Sequence, residues 1–112
     1  MNKSERIELY KKALEQWGIH PQVRMTFEEC SELMNALSKA YRKRATKEDV
    51  ITELADVSII VEQMALLFGY EEYEEERERK LLKLQNKLEK SNHEYVSQEN
   101  NFESVLKNGY NS

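Results

Sequence analysis

The chain has 112 residues, of which 39% are hydrophobic and 34% are charged. This length supports one domain, and the small apolar share predicts a core that is thin or is completed by another subunit. The 21 acidic and 17 basic residues give a net charge of −4, which argues against a general nucleic-acid binder. Three glycines and one proline are too few for a turn-rich all-β fold.

The sequence lacks membrane and secretion signals. No apolar run reaches the roughly 18 residues that a transmembrane helix needs, and the charged N-terminus is unlike a signal peptide. Cys30 is the single cysteine, which excludes an internal disulfide and a cysteine-rich zinc site. Because no histidine stands at an evident partner position, we interpret Cys30 as a small buried hydrophobe. We therefore expect a cytoplasmic protein with no membrane partner.

Apolar periodicity and capping residues predict four helices. The first covers residues 4–17, with Ser4 as its cap, Gly18 just past its end and Trp17 in its apolar stripe. The second covers residues 20–44 and carries a stripe of small and apolar side chains. Both helices are long enough to contribute a face to a helical core.

The third helix covers residues 46–68 and has the clearest start and stop signals. Thr46 and Asp49 have the spacing of a capping box, and Gly69 ends the helix. Its predicted apolar stripe consists of Val50, Leu54, Val57, Val61, Met64 and Phe68.

The fourth helix covers residues 71–90 and is very polar apart from a few leucines. Residues 91–112 are rich in Asn, Ser and Glu, which predicts a flexible tail with a short amphipathic turn around Phe102. The domain prediction is thus a helical domain at residues 1–90 and a polar tail at residues 91–112.

Two pairs of carboxylates interrupt the apolar stripes. At about 100° per residue, Glu29 falls inside the stripe of the second helix, Glu32 lies at its edge and Glu28 points away. Glu53 and Asp56 occupy similar positions on the third helix. If these helices pack as an antiparallel hairpin, four negative charges meet at a partly dry seam, where an unpaired carboxylate is costly. Mg²⁺ would neutralise them, since it binds carboxylate oxygens.

Other interpretations of the acidic residues compete with a metal site. Most acidic pairs on helices are solvated surface features, so this interpretation stays open beside the metal site. A ferritin-like di-iron site needs Glu-x-x-His on two helices, and neither His20 nor His93 follows a glutamate at that spacing. The chain has no glycine-rich phosphate loop, which excludes a P-loop enzyme.

Residues 28–32 (EECSE) and 53–56 (ELAD) resemble the E-E-x-x-E … E-x-x-D signature of the MazG-like, all-α nucleoside triphosphate pyrophosphohydrolases. The residues after each motif and the run KLLKL at 80–84 are similar to the short, single-domain bacterial and phage members. The resemblance implies a four-helix bundle completed by oligomerisation, as a homodimer or homotetramer. It also implies cleavage of a nucleoside triphosphate between the α- and β-phosphates, with Mg²⁺ or, in its place, Mn²⁺.

The resemblance implies four metal ligands, because the family binds its metal through the second and third acids of the first motif and both acids of the second. These positions are Glu29, Glu32, Glu53 and Asp56. A ligand carboxylate, or the spare Glu28, would orient or deprotonate the attacking water.

Four more side chains are candidates for substrate contacts. Lys39 and Lys80 are candidates for the phosphates, and Gln22 and Asn35 for the nucleobase. The alternative function is a non-enzymatic helical interaction module, or a nucleotide-sensing module, on the same scaffold. That alternative predicts no turnover.

Overall fold

The computed structural model describes residues 1–91 and 101–110. These residues form five helices and no strand, which confirms the all-α class. None of the described helices combines the length and the apolar character needed to cross a membrane. In chain order the helices are α1 (Lys3–Trp17), α2 (Ile19–Tyr41), α3 (Lys47–Phe68), α4 (Tyr70–Lys90) and α5 (Phe102–Asn108).

Helix α1 is capped by Asn2, so the prediction of Ser4 as the cap was wrong. The Asn2 side-chain oxygen accepts a hydrogen bond from the Glu5 backbone N–H at 2.9 Å. The Glu5 carboxylate in turn accepts one from the Asn2 backbone N–H at 3.2 Å. This reciprocal pair satisfies two N–H groups that a helix start leaves free, and it places Ser4 inside the first turn.

Helix α2 ends at Tyr41, three residues before the predicted end at residue 44. The chain reverses there because Lys43 adopts a left-handed conformation, with φ of 63°. The Arg44 backbone N–H then donates to the Lys39 carbonyl at 2.7 Å. The basic residues after Tyr41 therefore form a tight turn between α2 and α3 rather than a last helical turn.

Helix α3 has the predicted ends. The Thr46 hydroxyl accepts a hydrogen bond from the Asp49 backbone N–H at 3.1 Å, and the Asp49 carboxylate accepts one from the Thr46 N–H at 2.9 Å. Gly69 ends the helix with φ of 136°, which favours glycine, and its N–H donates to the Ala65 carbonyl at 2.8 Å. Both the capping box and the glycine stop are confirmed.

The core is small and lies mainly between α2 and α3, which pack against each other as a hairpin and make the most extensive helix contact. Helix α1 packs against α3 and, less closely, against α2. The small side chains of Ala36 and Ala40 allow close approach of the two hairpin helices. The buried apolar side chains are those of Tyr10, Ala36, Ala40, Ile60, Ala65 and Tyr70.

The predicted stripe of α3 is only partly buried, which corrects the sequence analysis. Phe68 is 81% exposed and Leu54 is 49% exposed, whereas Ile60, which the stripe omitted, is 2% exposed. Helix α3 carries apolar side chains on nearly every side, so periodicity alone did not select the face that meets α2. In the same way, Trp17 of the predicted α1 stripe lies 60% exposed.

Helix α4 is attached to the body of the molecule by its first turn. Tyr70 is buried and Tyr73 is half-buried against it, but residues 75–90 are all exposed. The radius of gyration is 17.3 Å, compared with about 13 Å for a compact chain of this length. The single chain thus has a three-helix body with a protruding α4, and the four-helix bundle completed by oligomerisation stays a prediction.

Helix α5 lies against the turn between α2 and α3. The Phe102 ring is 5.2 Å from the Tyr41 ring, and the Glu103 carboxylate is 3.1 Å from the Lys43 ammonium. Its residues have positive φ from Phe102 to Lys107. The short turn predicted around Phe102 is present, while the rest of the predicted flexible tail, at residues 92–100 and 111–112, lies outside the described residues. The division into a domain and a tail stays a prediction.

Candidate functional site

Three of the four predicted metal ligands meet at the seam between α2 and α3. Glu29 on α2 and the pair Glu53 and Asp56 on α3 each place one carboxylate oxygen within 4.8 Å of the others. Glu53 and Asp56 are three residues apart, so they project from the same side of α3. We call Glu29, Glu53 and Asp56 the carboxylate cluster.

The carboxylate cluster is partly removed from water. Glu29 and Glu53 are half-buried and Asp56 is exposed. One oxygen of Glu29 and one of Glu53, Oε2 in each, is buried without a hydrogen-bond partner among the described residues. An unsatisfied buried oxygen is costly, so these two atoms favour the approach of a cation or a donor.

Burial and repulsion between like charges both raise the pKa of carboxyl groups in the cluster. Burial raises the pKa of Glu29, and the nearby charges of Glu32, Asp56 and Glu53 raise it further. Burial also raises the pKa of Glu53, followed by the charges of Glu32 and Asp56. The charged forms of these groups are therefore disfavoured unless a positive charge binds between them.

The remaining two predicted acids lie beside the cluster. Glu32 is exposed and does not belong to the carboxylate cluster, but its charge raises the pKa of both Glu29 and Glu53. Glu28 is also exposed and contributes more weakly to the raised pKa of Glu29. The metal and catalytic roles of these residues stay predictions.

The donor set fits a hard divalent cation. Each atom with which the cluster could bind a metal is a carboxylate oxygen. Such ligands suit Mg²⁺ or Mn²⁺ better than softer ions. Cys30 is half-buried on α2 and not fully buried as predicted, and it does not belong to the cluster. Two orphaned buried oxygens and a neighbouring Glu32 provide the charge that such an ion would neutralise.

A cleft of about 360 Å³ opens beside the cluster, at the end of the seam near the turn between α2 and α3. This volume lies in the range of about 300–1,000 Å³ that small-molecule sites occupy. Two predicted substrate residues, Asn35 and Lys39, line it together with the predicted ligands Glu32 and Glu53. The cleft comprises Glu32, Asn35, Ala36, Lys39, Arg44, Ala45, Asp49, Thr52 and Glu53.

The other two predicted substrate residues do not line the cleft. Lys80 lies on the exposed part of α4, where its ammonium is 3.9 Å from the Glu76 carboxylate. Gln22 is buried, with 2% of its surface exposed, and stands two turns before Glu29 on α2, about 10 Å along the helix. The structure therefore brings Asn35 and Lys39, but neither Lys80 nor Gln22, beside the carboxylates.

Sequence reasoning missed three polar cleft residues, Arg44, Asp49 and Thr52. A signal existed for Asp49, because it stands one turn before Glu53 on the same face of α3. No comparable signal existed for Arg44, since a turn has no side-chain periodicity and its direction depends on the Lys43 backbone.

A second polar centre ties α1, α3 and α4 together, and sequence reasoning did not find it. The Glu62 carboxylate accepts hydrogen bonds from the Arg6 guanidinium at 3.0 Å, from the Tyr70 hydroxyl at 2.7 Å and from the Tyr10 hydroxyl. Burial acts to raise the pKa of Glu62, but these donors outweigh it and hold the pKa at about 2. Burial, aided by the Glu62 hydrogen bond, raises the pKa of Tyr10 to about 12.

The fold and the site together define an all-α protein with a cluster of carboxylates in the seam of a helical hairpin. No model of a known protein family matches the chain, and no curated protein and no solved structure matches it either. The function is therefore argued from the geometry of the carboxylate cluster and the cleft.

Proposed function

We propose that the chain is a Mg²⁺-dependent nucleoside triphosphate pyrophosphohydrolase of the MazG-like, all-α type, which acts in the cytoplasm. One observation carries the proposal: Glu29, Glu53 and Asp56 converge to within 4.8 Å in the hairpin seam. The same residues occupy the E-x-x-E and E-x-x-D positions of the motif that the sequence resembles. The adjacent cleft, which opens beside the cluster, supplies room for a substrate.

Glu29, Glu32, Glu53 and Asp56 are the residues that would hold the metal. When bound, Mg²⁺ would offset the charge of the phosphate oxygens and align the triphosphate for attack. Without it the four carboxylates would repel a polyanionic substrate, because like charges disfavour each other in a partly dry site.

The proposed reaction is a displacement at the α-phosphorus. The water oxygen bonds to the α-phosphorus, and the bond from that phosphorus to the oxygen bridging to the β-phosphorus breaks. Pyrophosphate leaves with the bridging oxygen and the electron pair of the broken bond. One water proton passes to a carboxylate, Glu28 or one of the ligand residues, and the other proton remains with the nucleoside monophosphate product.

Assembly is the second part of the proposal. The exposed leucines of α4 and the exposed apolar side chains of α3, Leu54 and Phe68 among them, would be covered in a homodimer or homotetramer. These exposed apolar side chains also favour the alternative function, a non-enzymatic interaction or nucleotide-sensing module. The two functions differ in whether a triphosphate is turned over.

The test is a product assay with Mg²⁺ and a panel of ribo- and deoxyribonucleoside triphosphates. We expect monophosphate and pyrophosphate from the wild type, no product with a chelator, and a fall of more than about 100-fold in the Glu53→Gln variant, since even residues behind a metal ligand contribute 10- to 100-fold. Glu15→Gln, an exposed change on α1, is the matched control and should leave the rate unchanged. Diphosphate with phosphate as products, or no turnover across the panel, would contradict the proposal.

A further inference from the structure

The cleft beside the carboxylate cluster is lined by side chains of both charges. Glu32 and Glu53 line the side that adjoins the cluster, and Lys39 and Arg44 also line the cleft. Lys39 is two turns beyond Glu32 on α2, about 10 Å along the helix axis. The cleft thus offers a ligand two cations, Lys39 and Arg44, beside the carboxylates of Glu32, Asp49 and Glu53.

The turn between α2 and α3 holds the two cations together. The Arg44 backbone N–H donates to the Lys39 carbonyl at 2.7 Å, which brings the chain after the turn back to the end of α2. The Lys39 ammonium is near Asp49, whose pKa is lowered by hydrogen bonds from Thr46 and, more weakly, by this positive charge. Within residues 1–91 and 101–110, neither Lys39 nor Arg44 forms an ion pair with a carboxylate at 4 Å or less.

Neighbouring cations of the turn are engaged elsewhere. The Lys43 ammonium is 3.1 Å from the Glu103 carboxylate of α5, and the Arg42 guanidinium donates to the Ser38 carbonyl at 3.3 Å. Neither of these two residues lines the cleft. Of this basic segment, Lys39 and Arg44 are thus the two residues that line the cleft, and neither forms an ion pair within the described part of the chain.

We propose that the cleft binds the pyrophosphate portion of the substrate, the β- and γ-phosphates, through Lys39 and Arg44. This inference rests on the proposed function and makes the substrate class more specific, a nucleoside triphosphate in preference to a diphosphate. The α-phosphate lies at the carboxylate cluster, and the leaving group extends from it toward the two cations. A guanidinium suits this task, because its fork of N–H donors matches phosphate oxygens.

The experiment is calorimetric titration with two probes, Mg²⁺ alone and inorganic pyrophosphate at saturating Mg²⁺. We expect Lys39→Gln and Arg44→Gln each to weaken pyrophosphate binding by about tenfold, the usual size of a hydrogen bond to a charged group. Their affinity for Mg²⁺ should stay within about twofold of the wild type, because neither residue belongs to the carboxylate cluster. Arg42→Gln, which removes the same charge from the same turn, is the matched control and should bind both probes as the wild type does.

A charge-retaining variant and the binding behaviour of the wild type distinguish a misfolded variant, a wrong inference and a wrong proposed function. Lys39→Arg retains the charge and should restore most of the pyrophosphate affinity, which a merely misfolded variant would not allow. Binding of Mg²⁺ without pyrophosphate by the wild type, or equal pyrophosphate affinity in the wild type and both Gln variants, would overturn this inference and leave the proposed function intact. If the wild type bound neither probe, the proposed function would fail and this inference would fail with it.

Discussion

At the scale of single residues, Glu29 is a member of the carboxylate cluster whose charged form is disfavoured both by burial and by neighbouring acids. It is half-buried, one of its oxygens has no partner among the described residues, and four neighbouring acids raise its pKa in addition to burial. A charged group in this position disfavours the metal-free fold, and it would favour the fold if the proposed metal binds. Its effect on unfolding should therefore depend on Mg²⁺.

We expect Mg²⁺ at millimolar concentration to raise the Tm of the wild type, because a ligand that binds only the folded state stabilises it. Glu29→Gln should lose this increase, and in a chelator it should be at least as stable as the wild type, since one of the mutually repelling charges is gone. Thermal unfolding with chelator and with Mg²⁺ measures both effects. Glu15→Gln serves as the control, and a full Mg²⁺ response in Glu29→Gln would show that the cluster is not the metal site.

Glu62 is the opposite case, a carboxylate stabilised by its partners. Its pKa of about 2 lies below the ordinary value of 4.5, so the folded state binds fewer protons than the unfolded state in that interval. The stabilising contribution is complete above pH 4.5 and is lost as the pH falls through about 2. Because solvent screens this partly exposed network, we expect a contribution of about 1–2 kcal/mol.

Glu62→Gln should lower the free energy of unfolding at pH 7 by that amount and should flatten the decline in stability between pH 4.5 and about pH 2. Urea unfolding at several pH values measures the slope. The control is Glu8→Gln, which removes an exposed pair with Lys11 at 3.5 Å and should cost less than about 1 kcal/mol. A pH dependence in Glu62→Gln as steep as in the wild type would assign the acid sensitivity to other carboxylates.

At the scale of elements, the start of α3 decides where Glu53 and Asp56 lie. The capping box of Thr46 and Asp49 fixes the first turn, and Glu53 follows one turn later. Thr46→Ala should lower the free energy of unfolding by about 1 kcal/mol, whereas Thr46→Ser, which keeps the hydroxyl, should cost only a few tenths. Chemical denaturation of the three proteins measures this order, and equal losses for Ala and Ser would mean that the hydroxyl does not cap the helix.

For the whole molecule, the exposed apolar surface predicts self-association. Leu81, Leu84 and Leu88 recur on one side of the protruding α4 and are 52%, 51% and 62% exposed. No other part of residues 1–91 and 101–110 covers them, and a chain of this size leaves much of its surface unburied. We therefore expect light scattering to report a dimer or a tetramer at micromolar concentration.

The double variant Leu81→Glu, Leu88→Glu should shift this assembly toward the single chain, because each change places a charge on an apolar contact. Lys83→Glu, on the same exposed helix, is the control for added negative charge. Circular dichroism should show unchanged helix content in all three proteins. A wild type with the mass of one chain would contradict the oligomeric prediction.

Local features of the sequence were enough to predict the helices and the faces of their acidic residues. Thr46 with Asp49 marks the start of α3, and Gly69 marks its end, because caps depend on residues within one turn. The side of the helix on which Glu29 and Glu53 lie follows from helical geometry alone. The same argument misplaced the cap of α1, where Asn2 with Glu5 makes a better reciprocal pair than any involving Ser4.

Only the tertiary structure decided which surfaces meet. Helix α3 is apolar on nearly every side, and packing with α2 selected the face of Ile60 while leaving Phe68 in solvent. Arg44 reaches the cleft because the Lys43 backbone reverses the chain, and Glu62 meets Arg6 from a helix 56 residues away in sequence. Such contacts depend on the relative placement of helices, which periodicity within one helix does not determine. The sequence by itself determined the helices and the acidic faces, and their packing decided the cluster and the cleft.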